Sequence, residues 1–260
     1  MKKTVILLAM SLFLIKTAKT QQDSIIHPLF ISIETGTFTD GRDGHEYKWV
    51  RIGEHIWMAE NLNVGTRIDA SQPMENNSKI EKYCYDNLES NCDIYGGLYQ
   101  WAEAVQYMNN ATNETSYYPA PTGSVSGICP AGWHVPSTEE WIELVLFVNN
   151  FYHDSRPEVH MKEGGNLHWT KGLTINETGF TALPGGCSKA KSKFDGITSY
   201  GSWWTSTEVG KRMFSGGTEK GAIAKSADSE NMYSGGLSDW PSIYTLPKTR
   251  GMSVRCIKND

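Results

Sequence analysis

The chain lacks the marks of several common protein classes. Outside its first residues it has no dense block of Lys and Arg, and its formal net charge is −5. Non-specific nucleic-acid binding therefore has no electrostatic footing, and no nucleic-acid partner is expected. Beyond Ile15 no apolar run is long enough to cross a bilayer, so no transmembrane segment is expected in the processed chain. There is no Gly-x-Ser-x-Gly nucleophile elbow. The histidines show no zinc spacing: His45, His55 and His153 stand apart, and His160 and His168 are not i, i+4 partners. Asp40 and Asp43 flank Arg42 in a pattern without the alternating carboxylates and closing glutamate of an EF-hand, so turn chemistry is the better reading. Internal repeats and low-complexity tracts are absent.

The beginning of the chain reads as a secretion signal. Lys2 and Lys3 precede an apolar run from Val5 to Ile15, and Ala18 and Thr20 are the small residues a signal peptidase reads, with cleavage after Thr20. No cysteine follows the run to take a lipid. The chain is thus expected to be exported to the periplasm, the cell surface or the medium. Residues 1–20 are assigned to the signal peptide, 21–35 to a leader and 36–260 to one domain. The leader carries Ile25-Ile26 and a marginal strand at Leu29–Ile33, which could add to a neighbour's sheet.

Five cysteines in an exported chain point to disulfides with one thiol left over. A local Cys84–Cys92 bridge across a turn-rich loop would leave Cys129 and Cys256 to close a long loop and Cys187 unpaired. The spacing alone leaves other pairings open.

Nine tryptophans, twelve tyrosines and twenty-five glycines suggest a loop-rich fold with an aromatic core. The stretch from Cys129 to Trp141 is its best-marked local signal. Ser137 can cap a helix with Glu140 three residues on, and Trp141, Leu144, Val145 and Val148 repeat at helical spacing. His134, between Trp133 and Val135, reads as a packed histidine. A hairpin is expected from His45–Arg51 through Gly53-Glu54 to Ile56–Ala59, with Tyr47, Trp49 and Arg51 on one face. A helix is expected within Gly96–Tyr107, with Leu98, Trp101, Ala102 and Val105 on one side, and a short one at Glu158–Lys162. Asn110 and Asn113 stand in glycosylation triplets, read as exposed loop. Strands are expected at Ser202–Glu208, Ala222–Ser226, Glu230–Ser234, Ser242–Leu246 and Gly251–Ile257, the last with Met252, Val254 and Cys256 on one face. Trp203 and Trp204, being adjacent, should point to opposite faces, one into the core and the other to solvent or under a loop. The fold class is α+β, two main helices packed on a small twisted, mainly antiparallel sheet with long loops.

Eight motifs occur in a specific order: Phe38-Thr-Asp-Gly-Arg-Asp-Gly44, Trp57-Met-Ala-Glu-Asn-Leu-Asn63, Tyr83-Cys-Tyr85, Tyr95-Gly-Gly-Leu-Tyr-Gln-Trp101, Cys129-Pro-Ala-Gly-Trp-His-Val-Pro-Ser137, Gly179-Phe-Thr-Ala-Leu-Pro-Gly-Gly186, Trp203-Trp-Thr-Ser-Thr-Glu208 and Ser253-Val-Arg-Cys256. Together they resemble the Fibrobacter succinogenes major paralogous domain, found in surface and secreted proteins of Fibrobacter and Bacteroidetes-type bacteria. The resemblance implies a C-type-lectin-like fold, distantly similar to formylglycine-generating enzymes. It also implies a disulfide from after the first helix to the last strand, which Cys129 and Cys256 can supply. Cys187 departs from the family pattern.

A secreted or cell-surface, non-catalytic binding module for a glycan or a protein partner is the expected function. Trp203, Trp204, Asp239 and Trp240 are the candidate ligand contacts. None of the tripeptides Glu-Pro-Asn, Gln-Pro-Asp or Trp-Asn-Asp is present, so the lectin-type calcium site is not expected, and no metal or other cofactor is. One alternative is a structural subunit of a surface assembly. The other is a formylglycine-generating-enzyme-like oxidase, for which a two-thiolate copper site is needed and Cys187 alone remains. N-terminal sequencing of the exported protein should begin at Gln21; an intact Met1 or a start beyond the leader would contradict the signal assignment.

Overall fold

The computed structural model describes residues 33–170, 172–189, 192–214, 217–228 and 242–260. The expected signal peptide, all but Ile33 of the marginal leader strand, the strand expected at Glu230–Ser234, and Asp239 and Trp240 lie outside the described residues.

The unit from Ile33 to Asp260 opens with β1 (Thr35–Thr39), β2 (Glu46–Ile52) and β3 (His55–Met58), paired antiparallel in succession. The turn at Gly53-Glu54 falls where the hairpin pattern puts it. Two short strands, β4 (Thr66–Arg67) and β5 (Glu81–Lys82), run parallel, and α1 (Glu89–Tyr95) and α2 (Trp101–Ala104) follow. Next come β6 (Trp133–His134), α3 (Thr138–Tyr152) and α4 (Pro157–Met161). The chain ends with β7 (Gly185–Lys189), β8 (Lys193–Ile197), β9 (Tyr200–Phe214), β10 (Gly217–Asp228), β11 (Ser242–Pro247) and β12 (Ile257–Lys258). One five-stranded sheet has the order β1-β2-β3-β12-β6, the other β11-β10-β9-β7-β8. The architecture is mixed α and β, mainly antiparallel, with no barrel.

The first sheet is covered on both faces, because successive side chains of a strand point opposite ways. Tyr47 and Met58 enter one cluster with Leu62, Trp101, Val135 and Trp204, and Trp49 packs against it. Val50, Ile52 and Trp57 enter another with Trp141, Leu144, Val148, Phe180 and Trp203. Arg51 ends the Tyr47 face beyond the core and pairs with Glu34.

The main helix starts as its sequence prescribes. The Ser137 hydroxyl accepts the Glu140 N–H, and Glu140 Oε2 accepts the Ser137 N–H at 2.6 Å. The other oxygen of Glu140 lies 2.8 Å from His134 Nε2, and His134 Nδ1 lies 2.7 Å from Asn259 Oδ1. Burial works against the imidazolium, but these hydrogen bonds and the Glu140 charge outweigh it and raise the His134 pKa.

Three expectations need correction. Among the described residues there is one long helix, α3, rather than two main ones, and it lies by a pair of sheets. The helix sought within Gly96–Tyr107 shrinks to the four residues of α2, because Leu98 bridges to Tyr83 and Tyr99 to Met252 instead of continuing a helix. Gly251–Ile257 is not one regular strand. Met252, Val254 and Cys256 do share a core face, but the backbone bonds in turn to Ser188, Tyr99, Ser202, Leu62 and Met58.

Arg255 sits at the centre of that segment, fully buried. Its Nη2 donates to Asn61 Oδ1 at 2.8 Å and to the Thr181 carbonyl at 3.2 Å, and Nη1 donates to the Phe180 carbonyl. The guanidinium carbon lies 4.3 Å from the centroid of the Phe180 ring. Asn61 Oδ1 also accepts the Trp203 indole N–H at 2.8 Å, and its amide donates to the Tyr95 carbonyl at 2.8 Å. Burial lowers the Arg255 pKa to about 9, with the Glu60 carboxylate opposing, so the side chain stays charged at neutral pH. The adjacent Cys256 is bonded to Cys129 across 127 residues, worth about 5 kcal/mol in the chain-entropy model. Arg255→Ala should cost roughly 3–5 kcal/mol in urea unfolding, because it strands buried acceptors and opens a cavity. Arg255→Met, which keeps the volume, should cost less; a loss under about 1 kcal/mol for the alanine variant would remove the hub from the account.

Candidate functional site

The site begins with the turn that precedes β2. The buried Asp40 carboxylate accepts from Arg42 Nε at 2.9 Å and from its backbone N–H at 3.0 Å, and Arg42 Nη1 reaches the Ile128 carbonyl at 2.8 Å. Burial would raise the Asp40 pKa, but the bonds and charge of Arg42 prevail and lower it. Asp43 Oδ1 accepts the His45 N–H at 3.0 Å. The bonds within Asp40–His45 are those of a turn, and the Ile128 bond ties that turn to a distant stretch.

His45 is exposed, and its ring centroid lies 4.4 Å from that of buried Tyr47. The Tyr47 hydroxyl accepts the Asn63 N–H at 2.9 Å. Lys82 Nζ donates to the Asn63 carbonyl and to Asn63 Oδ1, both at 2.7 Å, and lies 3.8 Å from Glu89 Oε1. Burial lowers the Lys82 pKa, against the pull of Glu89, Asp43 and Asp93. The second oxygen of Glu89 lies 3.1 Å from Arg67 Nε. The Cys84–Cys92 disulfide closes the loop that carries Glu89, and Asp93 follows it.

These pieces border an open groove of about 750 Å³. Its lining includes Arg42, Asp43 and His45 from the turn before β2, and Lys79, Ile80 and Lys82 from the stretch around β5. Asn63, Val64 and Gly65, and Glu89 and Asp93 of α1, also line it. Gly65 has φ +105°, and a Cβ there would lie 2.5 Å from the Ile80 carbonyl oxygen. Only glycine lets the two short parallel strands approach this closely.

The groove wall is held from behind by a buried carboxylate. Glu103 Oε1 accepts the Glu81 N–H at 3.2 Å, next to Lys79 and Ile80. Burial raises the Glu103 pKa to about 7; the bond from the Glu81 N–H and the nearby Tyr107 hydroxyl oppose the rise, and the Glu81 charge adds to it.

The tryptophans proposed from sequence are elsewhere. Trp203 and Trp204 are both 0% exposed, because the two faces of β9 each meet a core cluster. Trp203 donates to Asn61, and Trp204 donates to the Tyr99 carbonyl at 2.8 Å. Neither offers a ring to a ligand at the surface, which corrects the expectation for the second of them. Asn113 is not a free loop residue either: it donates to Gln100 Oε1 at 2.9 Å and accepts the Ala102 N–H. Cys187 is buried and unbridged, 3.1 Å from the Tyr200 hydroxyl. Among the described residues no group of three or more His, Cys, Asp or Glu side chains is placed to hold a metal ion, and no helix is long and apolar enough to cross a membrane.

Sequence comparison places one result beside this geometry. The model of the family described as the Fibrobacter succinogenes major domain matches residues 50–258. No curated protein and no solved structure matches the chain.

Glu103 gives a pH test of the groove's support. Its pKa is higher folded than unfolded, so its contribution to stability is complete below about pH 4.5 and is lost as pH rises through about 7. Glu103→Gln should remove that loss, leaving the variant more stable than the parent at pH 8 by on the order of 3 kcal/mol and little changed at pH 4. Parallel thermal curves for the two proteins across that range would contradict the assignment.

Proposed function

The chain belongs to the Fibrobacter succinogenes major domain family, and on that premise we propose that it is an exported, non-catalytic binding module. Its recognition surface is the polar groove, and its partner is a glycan or a surface protein. The observation that carries this reading is the groove's construction. Polar side chains from separate stretches are fixed around one concavity by hydrogen bonds, a disulfide and a close glycine contact. Preorganised polar groups on a rigid scaffold bind with less ordering cost. A C-type-lectin-like scaffold fits the Cys129–Cys256 bond, which ties the stretch before α3 to the last strand and leaves loops free to carry specificity. Export fits two disulfides and a signal-like beginning.

The oxidase-like alternative has less support. Four cysteines are bridged, and burial raises the pKa of the remaining thiol, with the Tyr200 bond and Arg250 opposing. A structural subunit of a surface assembly is favoured by one feature, the outward face of α3, where Ile142, Leu146 and Phe147 are exposed alongside Glu139 and Glu143.

Arrays of glycans and of surface proteins, probed with the mature chain with and without calcium, separate these readings. The binding module should be retained on at least one spot, Asp93→Lys should abolish retention, and Leu146→Glu should leave it intact. Clean arrays, together with self-association abolished by Leu146→Glu, would favour the assembly subunit instead.

A further inference from the structure

We infer that the groove takes a neutral, hydroxyl-rich ligand, a saccharide unit without formal charge, seated against the His45 ring. The inference rests on the groove being the recognition surface and names the chemistry of what it holds.

The charges of the lining lead to this class. Arg42, Lys79 and Lys82 stand against Asp43, Glu89 and Asp93, so the formal charges of these six cancel. The cations are also engaged unequally. Arg42 is committed to Asp40 and the Ile128 carbonyl, and Lys82 to Asn63, with Glu89 at 3.8 Å. An anionic ligand drawn to Lys82 would come among Asp43, Glu89 and Asp93, the carboxylates whose charge already acts on that ammonium. A cationic ligand would meet Lys79 and Lys82 across the same space. In either case a like charge opposes entry. A hydroxyl is one donor and an acceptor at once, so an array of hydroxyls can use a mixed lining without an unpaired charge.

The shape and stiffness agree. A volume of about 750 Å³ lies within the range of small-molecule sites, roughly 300–1,000 Å³. The His45 ring is exposed, held by the Asp43 bond to its backbone and by contact with Tyr47. It presents a flat surface of the kind against which the C–H face of a pyranose can pack. Asn63 is held at both ends, by Tyr47 through its N–H and by Lys82 through its oxygens, which leaves its side-chain NH₂ as a donor of set direction. Ile80, half-buried against the core that holds Val64, adds an apolar portion to the lining.

The test is an NMR titration of the ¹⁵N-labelled mature chain with four probes: cellobiose, maltose, digalacturonic acid and the glucosamine disaccharide. A neutral probe should shift the amides of Gly44, His45, Asn63 and Gly65. His45→Ala should weaken that binding at least tenfold while the spectrum stays that of the folded chain, and Glu114→Ala, outside the groove, should not. Shifts of the same amides by a charged probe but by neither neutral one would overturn the ligand class and leave the groove as the site. Neutral probes that shift only amides elsewhere, insensitive to His45→Ala, would overturn both readings. Four silent probes, alongside array retention lost in Asp93→Lys, would overturn the saccharide inference and keep the groove for a protein partner.

Discussion

A guanidinium enclosed in the protein interior without a carboxylate to pair with can persist only if its donors are met by fixed acceptors. Arg255 imposes that condition on this chain. Its partners are the Asn61 amide oxygen and the carbonyls of Phe180 and Thr181, and Asn61 in turn binds the Trp203 indole and the Tyr95 carbonyl. Stretches far apart in sequence must reach one point together or leave a buried charge unsolvated. The neighbouring Cys256 then fastens the same segment to Cys129, at the head of the stretch that starts α3. Specificity of packing at one residue is thereby converted into the arrangement of both sheets.

The motifs that mark the family are mostly the parts of this hub. Asn61 comes from the Trp57–Asn63 motif, Tyr95 from the glycine-rich one, Phe180 and Thr181 from the Gly179–Gly186 motif, Trp203 from the tryptophan pair, and Arg255 from the last. Their chemistry is construction. The groove takes its polar character from side chains outside the hub, on the Asp40–His45 turn and around the Cys84–Cys92 loop. Part of the lining, Arg42, Asp43, Gly44 and Asn63, belongs to the same motifs, so the groove and the hub draw on overlapping stretches of the chain.

Local signals were read well where local physics decides. The Ser137–Glu140 capping box, the hairpin turn at Gly53-Glu54 and the turn bonds of Asp40 and Asp43 depend on a few neighbouring residues, and all are present. Long-range packing overrode the rest. Leu98, Trp101, Ala102 and Val105 have helical spacing, yet Tyr83 and Met252 draw the segment into bridges. Trp203 and Trp204 alternate as adjacent strand residues must, but alternation does not reveal that each face of β9 meets a core. The groove was illegible for a related reason. Its side chains come from several short loops with no shared period, and the one sequence hint, the Asp-Gly turn at Asp43, reads as turn chemistry alone.

If Arg255 and the segment Gly251–Ile257 organise the fold, backbone amides bonded to that segment should open only when the whole molecule does. Native-state hydrogen exchange measures this directly at Met58, Leu62, Tyr99 and Trp204, whose N–H groups donate to the carbonyls of Cys256, Val254, Met252 and Ser253. The account expects these amides to exchange slowest of all, with an opening free energy equal to that of global unfolding. Exchange of this set through a smaller, separate opening, while the helix α3 stays protected, would contradict it.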